Sequence, residues 1–198
     1  MALRGEAGAP RGGSQARQLC LATRREPVSK TRGLVAYYAG LLPDAVLAFE
    51  SAIDRARELG VTYEVAVNLH NLGDVFLRQN DRARAYGAFH QSLTLATESG
   101  HERLVLHDRM FTGYLDALAG DAAGKEQLAQ AVETAGTREF FWDLLNGRRL
   151  EAELALHEGD PDTALRKFGT LAEEAQKLGH RTLAEEAGKR AAELRAVP

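Results

Sequence analysis

The residues with chemistry to offer are six histidines, a single cysteine and a few adjacent carboxylates. A helical zinc hydrolase needs two histidines four residues apart, with a glutamate beside the first. His101-Glu102 with His107 misses that spacing, and His157-Glu158-Gly159 has no second histidine four residues on. His70 and His107 are placed to approach across neighbouring helices, but no third ligand accompanies them, so no metal is expected. Ala119-Gly120-Asp121-Ala122-Ala123-Gly124-Lys125 contains Gly-Lys without the glycine spacing or preceding strand of a phosphate loop. It reads as a turn between helices, with Asp121 and Lys125 as an i, i+4 ion pair. Glu173-Glu174 and Glu185-Glu186 read as solvated faces. Cys20 lies near Arg17 and Arg24, which favour a thiolate, yet no base is placed to use it. No catalytic residue, cofactor or enzyme activity is expected.

The elements that position these residues repeat. Gly33, Gly73 and Gly113 recur at forty-residue intervals, and so do Ala45 and Ala85, each followed four residues later by Phe49 and Phe89. Ala164 and Phe168 continue that series. Turn pairs Gly40-Leu41, Asn80-Asp81, Gly120-Asp121 and Gly159-Asp160 follow the same rhythm, the last a residue early. A period of this size marks a stacked array of helical units. In the second unit Val65, Leu69, Leu72, Phe76 and Leu77 form one helical stripe, with Thr62 as its expected N-cap and an end near Gln79. Further helices are expected over about 27–39, from Pro43-Asp44 to Gly60, from Asn80-Asp81 to Glu98, and from Glu102 to Ala119. The third unit's second helix is expected to stop near Gly136. Asp160-Pro161 opens another helix, because a capping carboxylate followed by proline favours a helical start. Residues 181–195 read as an amphipathic cap. No segment alternates at period two, so the expected class is all-α.

The 198 residues carry a net charge of −3, which asks for neither nucleic acid nor an anionic membrane. Residues 1–32 hold seven Lys/Arg against two Asp/Glu, while the remainder hold eighteen against twenty-six. That basic end reads as a disordered tail over 1–14, or as a docking arm, followed by a short helix or linker over 15–26. It lacks the apolar core of a secretory signal. A lone cysteine suits a reducing cytoplasm, and twenty arginines against five lysines suit a high-GC bacterial genome.

Leu69, Leu72, Gly73, Phe76, Ala85, Phe89 and Ser92 together resemble the tetratricopeptide repeat (TPR) family in order and type. The first unit matches through Ala45, Phe49 and Ala52. The fourth keeps Ala164 and Phe168 but has Ala152 where glycine is usual. The third departs most, with Lys125 and Ala129 in place of the alanine and aromatic of its second helix. This unit is expected to pack loosely or to bend the array. The resemblance covers roughly residues 27–179 and implies a right-handed α-solenoid of about four TPR helix pairs with a C-terminal capping helix. The units would span about 27–60, 62–100, 102–136 and 138–179. The long period resembles the sub-class common as sensor or scaffold arms of bacterial signalling kinases, ATPases and transcriptional activators.

In that family the first helix of each unit lines a concave groove. Carried onto this chain, the groove positions are Lys30, Leu34 and Tyr37, then His70, Asn71 and Asp74, then His107, Met110 and Tyr114, and finally Asn146, Arg149 and Glu153. The resemblance thus implies a protein or peptide partner, gripped by apolar contacts near Leu34, Tyr37, Met110 and Tyr114 with polar flanks. The set lacks the aligned cations that clamp a chaperone's C-terminal carboxylate. Two readings stand for Asn71: an amide that holds a peptide backbone through its paired donor and acceptor, or an exposed residue without a ligand. Two also stand for Phe140, Phe141 and Trp142: packing between the third and fourth units, or an aromatic anchor for the partner. Self-association as a regulatory or oligomerisation arm is the alternative role.

Overall fold

The computed structural model describes residues 26–196, with side chains from Lys30 onward. The tail expected over 1–14, the segment 15–25 and Cys20 lie outside the described residues. Within them are nine helices and no strand: α1 Glu26–Tyr38, α2 Leu42–Leu59, α3 Thr62–Arg78, α4 Arg82–Glu98, α5 Glu102–Leu118, α6 Ala122–Thr137, α7 Phe141–His157, α8 Pro161–Lys177 and α9 Arg181–Arg195. Each packs against its neighbours in the chain, and α5 also packs against α7. None is long and apolar enough to cross a membrane.

Every joint between these helices turns on one left-handed residue. Gly40, Gly60, Gly100, Gly120, Gly159 and Gly179 take φ values of 69° to 90°, and Asn80 and Glu139 take 58°. At each joint the following N–H reaches back five residues to a helical carbonyl: Leu41 to Ala36, Val61 to Ala56, Asp81 to Phe76, and so on to His180 and Ala175, at 2.8–3.0 Å. This bond closes carbonyls that the helix end leaves open. Three joints are completed from the other side by aspartate caps. Asp81, Asp121 and Asp160 accept hydrogen bonds from the N–H groups of Arg84, Ala123 and Thr163 at 2.9–3.0 Å. The N–H bond from Arg84 holds the Asp81 carboxyl below the usual range, and hydrogen bonds from the Thr163 side chain and N–H do the same for Asp160.

Glycine also sets how closely paired helices lie. A Cβ on Gly33 would stand 2.6 Å from the Phe49 ring, and one on Gly73 would stand 2.7 Å from the Phe89 ring. The α2 and α4 phenylalanines therefore lie flat against bare backbone of α1 and α3. In the third pair the device changes. A Cβ on Gly113 would meet the Gly124 carbonyl oxygen at 2.8 Å, and one on Gly124 would meet the Ala117 nitrogen at 2.7 Å. With no phenylalanine between them, α5 and α6 touch backbone to backbone. The buried residues form two clusters that meet at α7. Leu150 and Leu154 belong to the one reaching back to α1, and Leu145, Ala152 and Ala155 to the one shared with α8 and α9.

Several expectations need correction. Thr62 is the first helical residue of α3, not its cap, and no side chain caps that end. α6 ends at Thr137, beside Gly136 as expected, but its left-handed turn residue is Glu139 rather than that glycine. The third pair is not loose, because its two glycines bring the helices into direct contact. Lys125 pairs with Glu158 at 2.6 Å across to the end of α7, while Asp121 is committed to capping. Glu174 is half-buried and paired with Arg148.

Two substitutions test these constraints by urea denaturation. Gly73→Ala forces the Phe89 ring to move and is expected to destabilise by about 1–3 kcal/mol. Glu139→Gly relieves a left-handed conformation that side chains resist, and is expected to stabilise by about 1 kcal/mol.

Candidate binding groove

The odd-numbered helices α1, α3, α5 and α7, with Phe49 of α2, line a cavity of about 350 Å³. It crosses them obliquely. Leu34, Tyr37 and Tyr38 come from the end of α1, and Trp142, Asp143 and Asn146 from the start of α7. Tyr63 to Asp74 of α3 and Arg103, Leu104 and His107 of α5 fill the middle. The twenty-residue step between joints explains the alignment. Tyr63, Arg103 and Trp142 occupy one repeat position, and Val67, His107 and Asn146 another.

Of the twelve positions expected in the groove, Leu34, Tyr37, His70, Asn71, Asp74, His107 and Asn146 line this cavity. The others do not. Met110 is wholly buried, packed behind Gly147, where a Cβ would lie 3.1 Å from its sulfur. Tyr114 is half-buried against the core, and burial pushes its hydroxyl pKa up. Lys30 pairs with Glu64 at 3.4 Å, and Glu153 with Arg190 at 3.3 Å. Arg149 stands half-buried outside the lining. The exposed aromatic side chains on the lining are instead Tyr38, Tyr63 and Trp142. The aromatic trio divides: Phe140 packs against the core, while Trp142 faces the cavity with its ring 5.0 Å from His180.

Beneath the cavity lies a buried polar cluster. His70 Nδ1 donates to Asp108 Oδ1 at 2.7 Å, and Ser92 Oγ donates to Asp108 Oδ2 at 2.6 Å. Asp108 is fully buried, so one carboxylate ties α3 and α4 to α5. The His107 ring lies 4.3 Å from that of His70, with its Nδ1 3.5 Å from Asp143 Oδ1. Arg103 Nε donates to the other oxygen of Asp143 at 2.7 Å. Phe89 and Phe111 stack at 4.6 Å and wall the two imidazoles in.

Burial alone would push His70 down, but the hydrogen bond and charge of Asp108 outweigh it and hold the imidazole above its ordinary pKa. Burial raises Asp108, partly offset by the His70 and Ser92 bonds. His107 goes the other way: burial drives it well below its ordinary value, and the charges of His70, Arg103 and Arg149 add to that. Its Nε2 is buried with no hydrogen-bond partner among the described residues.

This arrangement is not a nucleophile relay. There the serine would bond the imidazole, whereas Ser92 bonds the carboxylate and lies 2.9 Å from the Ala66 carbonyl oxygen. Nor do the two histidines converge on one point. Their rings stack at a 35° tilt, and His70 Nδ1 is already engaged. Asp108, Asp143, Arg103 and Tyr63 escape the sequence reading, although a signal exists. Asp108 interrupts the stripe Leu104, Phe111, Leu115, and Asp143 stands in the stripe Gly147, Leu150, Leu154. An acid in an apolar stripe needs a buried partner.

Asp108→Asn removes the charge that supports His70. It is expected to destabilise by about 3 kcal/mol and to move the His70 titration, followed by NMR of the imidazole, from above to below about 6.5.

Compared with known protein families and with curated protein sequences, the chain matches none.

Proposed function

We propose that this chain is a non-enzymatic binding module of tetratricopeptide type, a right-handed α-solenoid of about four helix pairs capped by α9. Its groove holds a peptide or helix of a protein partner. The observation that carries the reading is the cavity lined by the first helix of all four pairs and by none of the capping elements. Asn71 and Asn146 bring amides to that lining, and an amide serves an extended backbone whatever its sequence. Tyr38, Tyr63 and Trp142 offer large, partly exposed rings of the kind that anchor a partner. The buried cluster below holds α3, α4 and α5 in fixed relation, so the receptor side is ordered before binding and loses little freedom on it. A role as a bacterial, cytoplasmic adaptor follows from the family resemblance.

A second reading, a regulatory arm that self-associates, draws on side chains outside the lining. Val35, Leu41 and Leu47 are 54–65% exposed around the first helix pair. Apolar side chains grouped this way favour contact with another protein surface.

Selection of displayed peptides on the full chain tests the first reading. Recovered peptides should lose about tenfold or more in affinity, some 1.4 kcal/mol, with Asn71→Ala combined with Tyr63→Ala. Glu133→Ala, on the exposed face of α6, should leave binding unchanged. Peptides indifferent to the first pair and sensitive to the second would reject the groove. For the self-associating arm, sedimentation should show a concentration-dependent dimer that Leu47→Glu abolishes.

A further inference from the structure

We propose that His70 and His107 act as a one-proton lock under the groove, in which either a second proton or the loss of the first loosens α3 from α5. The geometry carries this. Two imidazoles from adjacent odd helices lie ring to ring at 4.3 Å with a 35° tilt, backed by Phe89 and Phe111 on the side away from the cavity they line. The charged groups around them balance with one imidazolium. Asp108 and Asp143 face Arg103 and a protonated His70, each joined by a 2.7 Å bond.

Further out, Asp74 of α3 and Arg149 of α7 bear on the same rings with opposite signs. The neighbouring helix α4 brings Phe89 and the Ser92 hydroxyl to the cluster. From α6, the Gln127 amide reaches the far side of α5 at Thr112. A second proton would place like charges in contact and leave a charged Nε2–H of His107 buried without an acceptor. Removing the first would strand the Asp108 carboxylate beside a neutral ring. Titration therefore belongs to the pair.

The signs oppose. His70, raised in the folded chain, contributes stability below about pH 6.5 that is lost as pH rises through its folded pKa. His107, depressed in the folded chain, contributes stability above about pH 6.5 that is lost as pH falls toward its folded pKa. Stability is thus bell-shaped, each limb steepening toward about tenfold in the unfolding constant per pH unit. Control of partner binding by this lock rests on the groove reading; the proton pair itself does not.

The test uses the full chain without any ligand. Urea midpoints are measured from about pH 5 to about pH 8.5, and the histidine Cε1–H resonances are followed over the same range. The lock predicts a bell, with one imidazole titrating above the ordinary value and its stacked neighbour below. His107→Phe keeps the ring contacts without a proton site and should remove the acid limb alone. Should that variant fail to fold, His107→Gln and the wild-type resonances decide the matter. Both rings titrating together near the ordinary value, or a stability curve without the acid limb, would overturn the lock. A peptide bound equally across the bell would sever it from the groove while leaving the proton pair intact.

Discussion

One left-handed residue at each joint, spaced twenty residues from the last, governs the geometry of this chain. The back-bond over five residues that accompanies it ends each helix at the same point relative to the next. Helices of nearly equal length then follow, and positions forty apart fall side by side on alternate helices. Tyr63 beside Arg103, Val67 beside His107, and Gly33 and Gly73 each beneath a phenylalanine are all products of that step. The interval from Gly120 to Glu139 is one residue short, so equivalent positions in the last full pair are reached by counting thirty-nine.

The helices were legible in the sequence because their punctuation is local. Glycine, asparagine and capping aspartate act within a few residues, and the structure places helix ends close to where those signals stand. Where punctuation misled, a competing local fact explains it. Gly136 looked like a terminator, yet Glu139 carries the left-handed turn. Packing across helices was less legible. The Lys125 and Ala129 substitutions suggested looseness, but the pairing of Gly113 with Gly124 was hidden because it joins residues on different helices that no repeat position shares.

For the groove, carrying positions over by family analogy found most of the α1 and α3 contributions together with His107 and Asn146, and missed Arg103, Leu104 and Asp143 at the starts of α5 and α7. Each repeat was treated as offering the same face, whereas the cavity runs obliquely and samples a different stretch of each helix. The buried cluster was half visible: the approach of His70 and His107 could be anticipated, but not that Asp108 and Asp143 would turn them into a charge-balanced set. Two acids at apolar positions of their helices were the overlooked sign. Buried charge of this kind adds little net stability over an apolar core, yet it penalises any alternative pairing of helices.

The two apolar clusters meet at α7, which gives Leu150 and Leu154 to one and Leu145, Ala152 and Ala155 to the other. Cooperative units in proteins follow such divisions. Local unfolding of α8 and α9 would strip one flank of α7 while α1 to α6 stay folded. Trp142, Asp143 and Asn146 ride on that same helix and form one wall of the cavity. Fraying at the chain's far end therefore reaches the groove mechanically, through a helix that both clusters share.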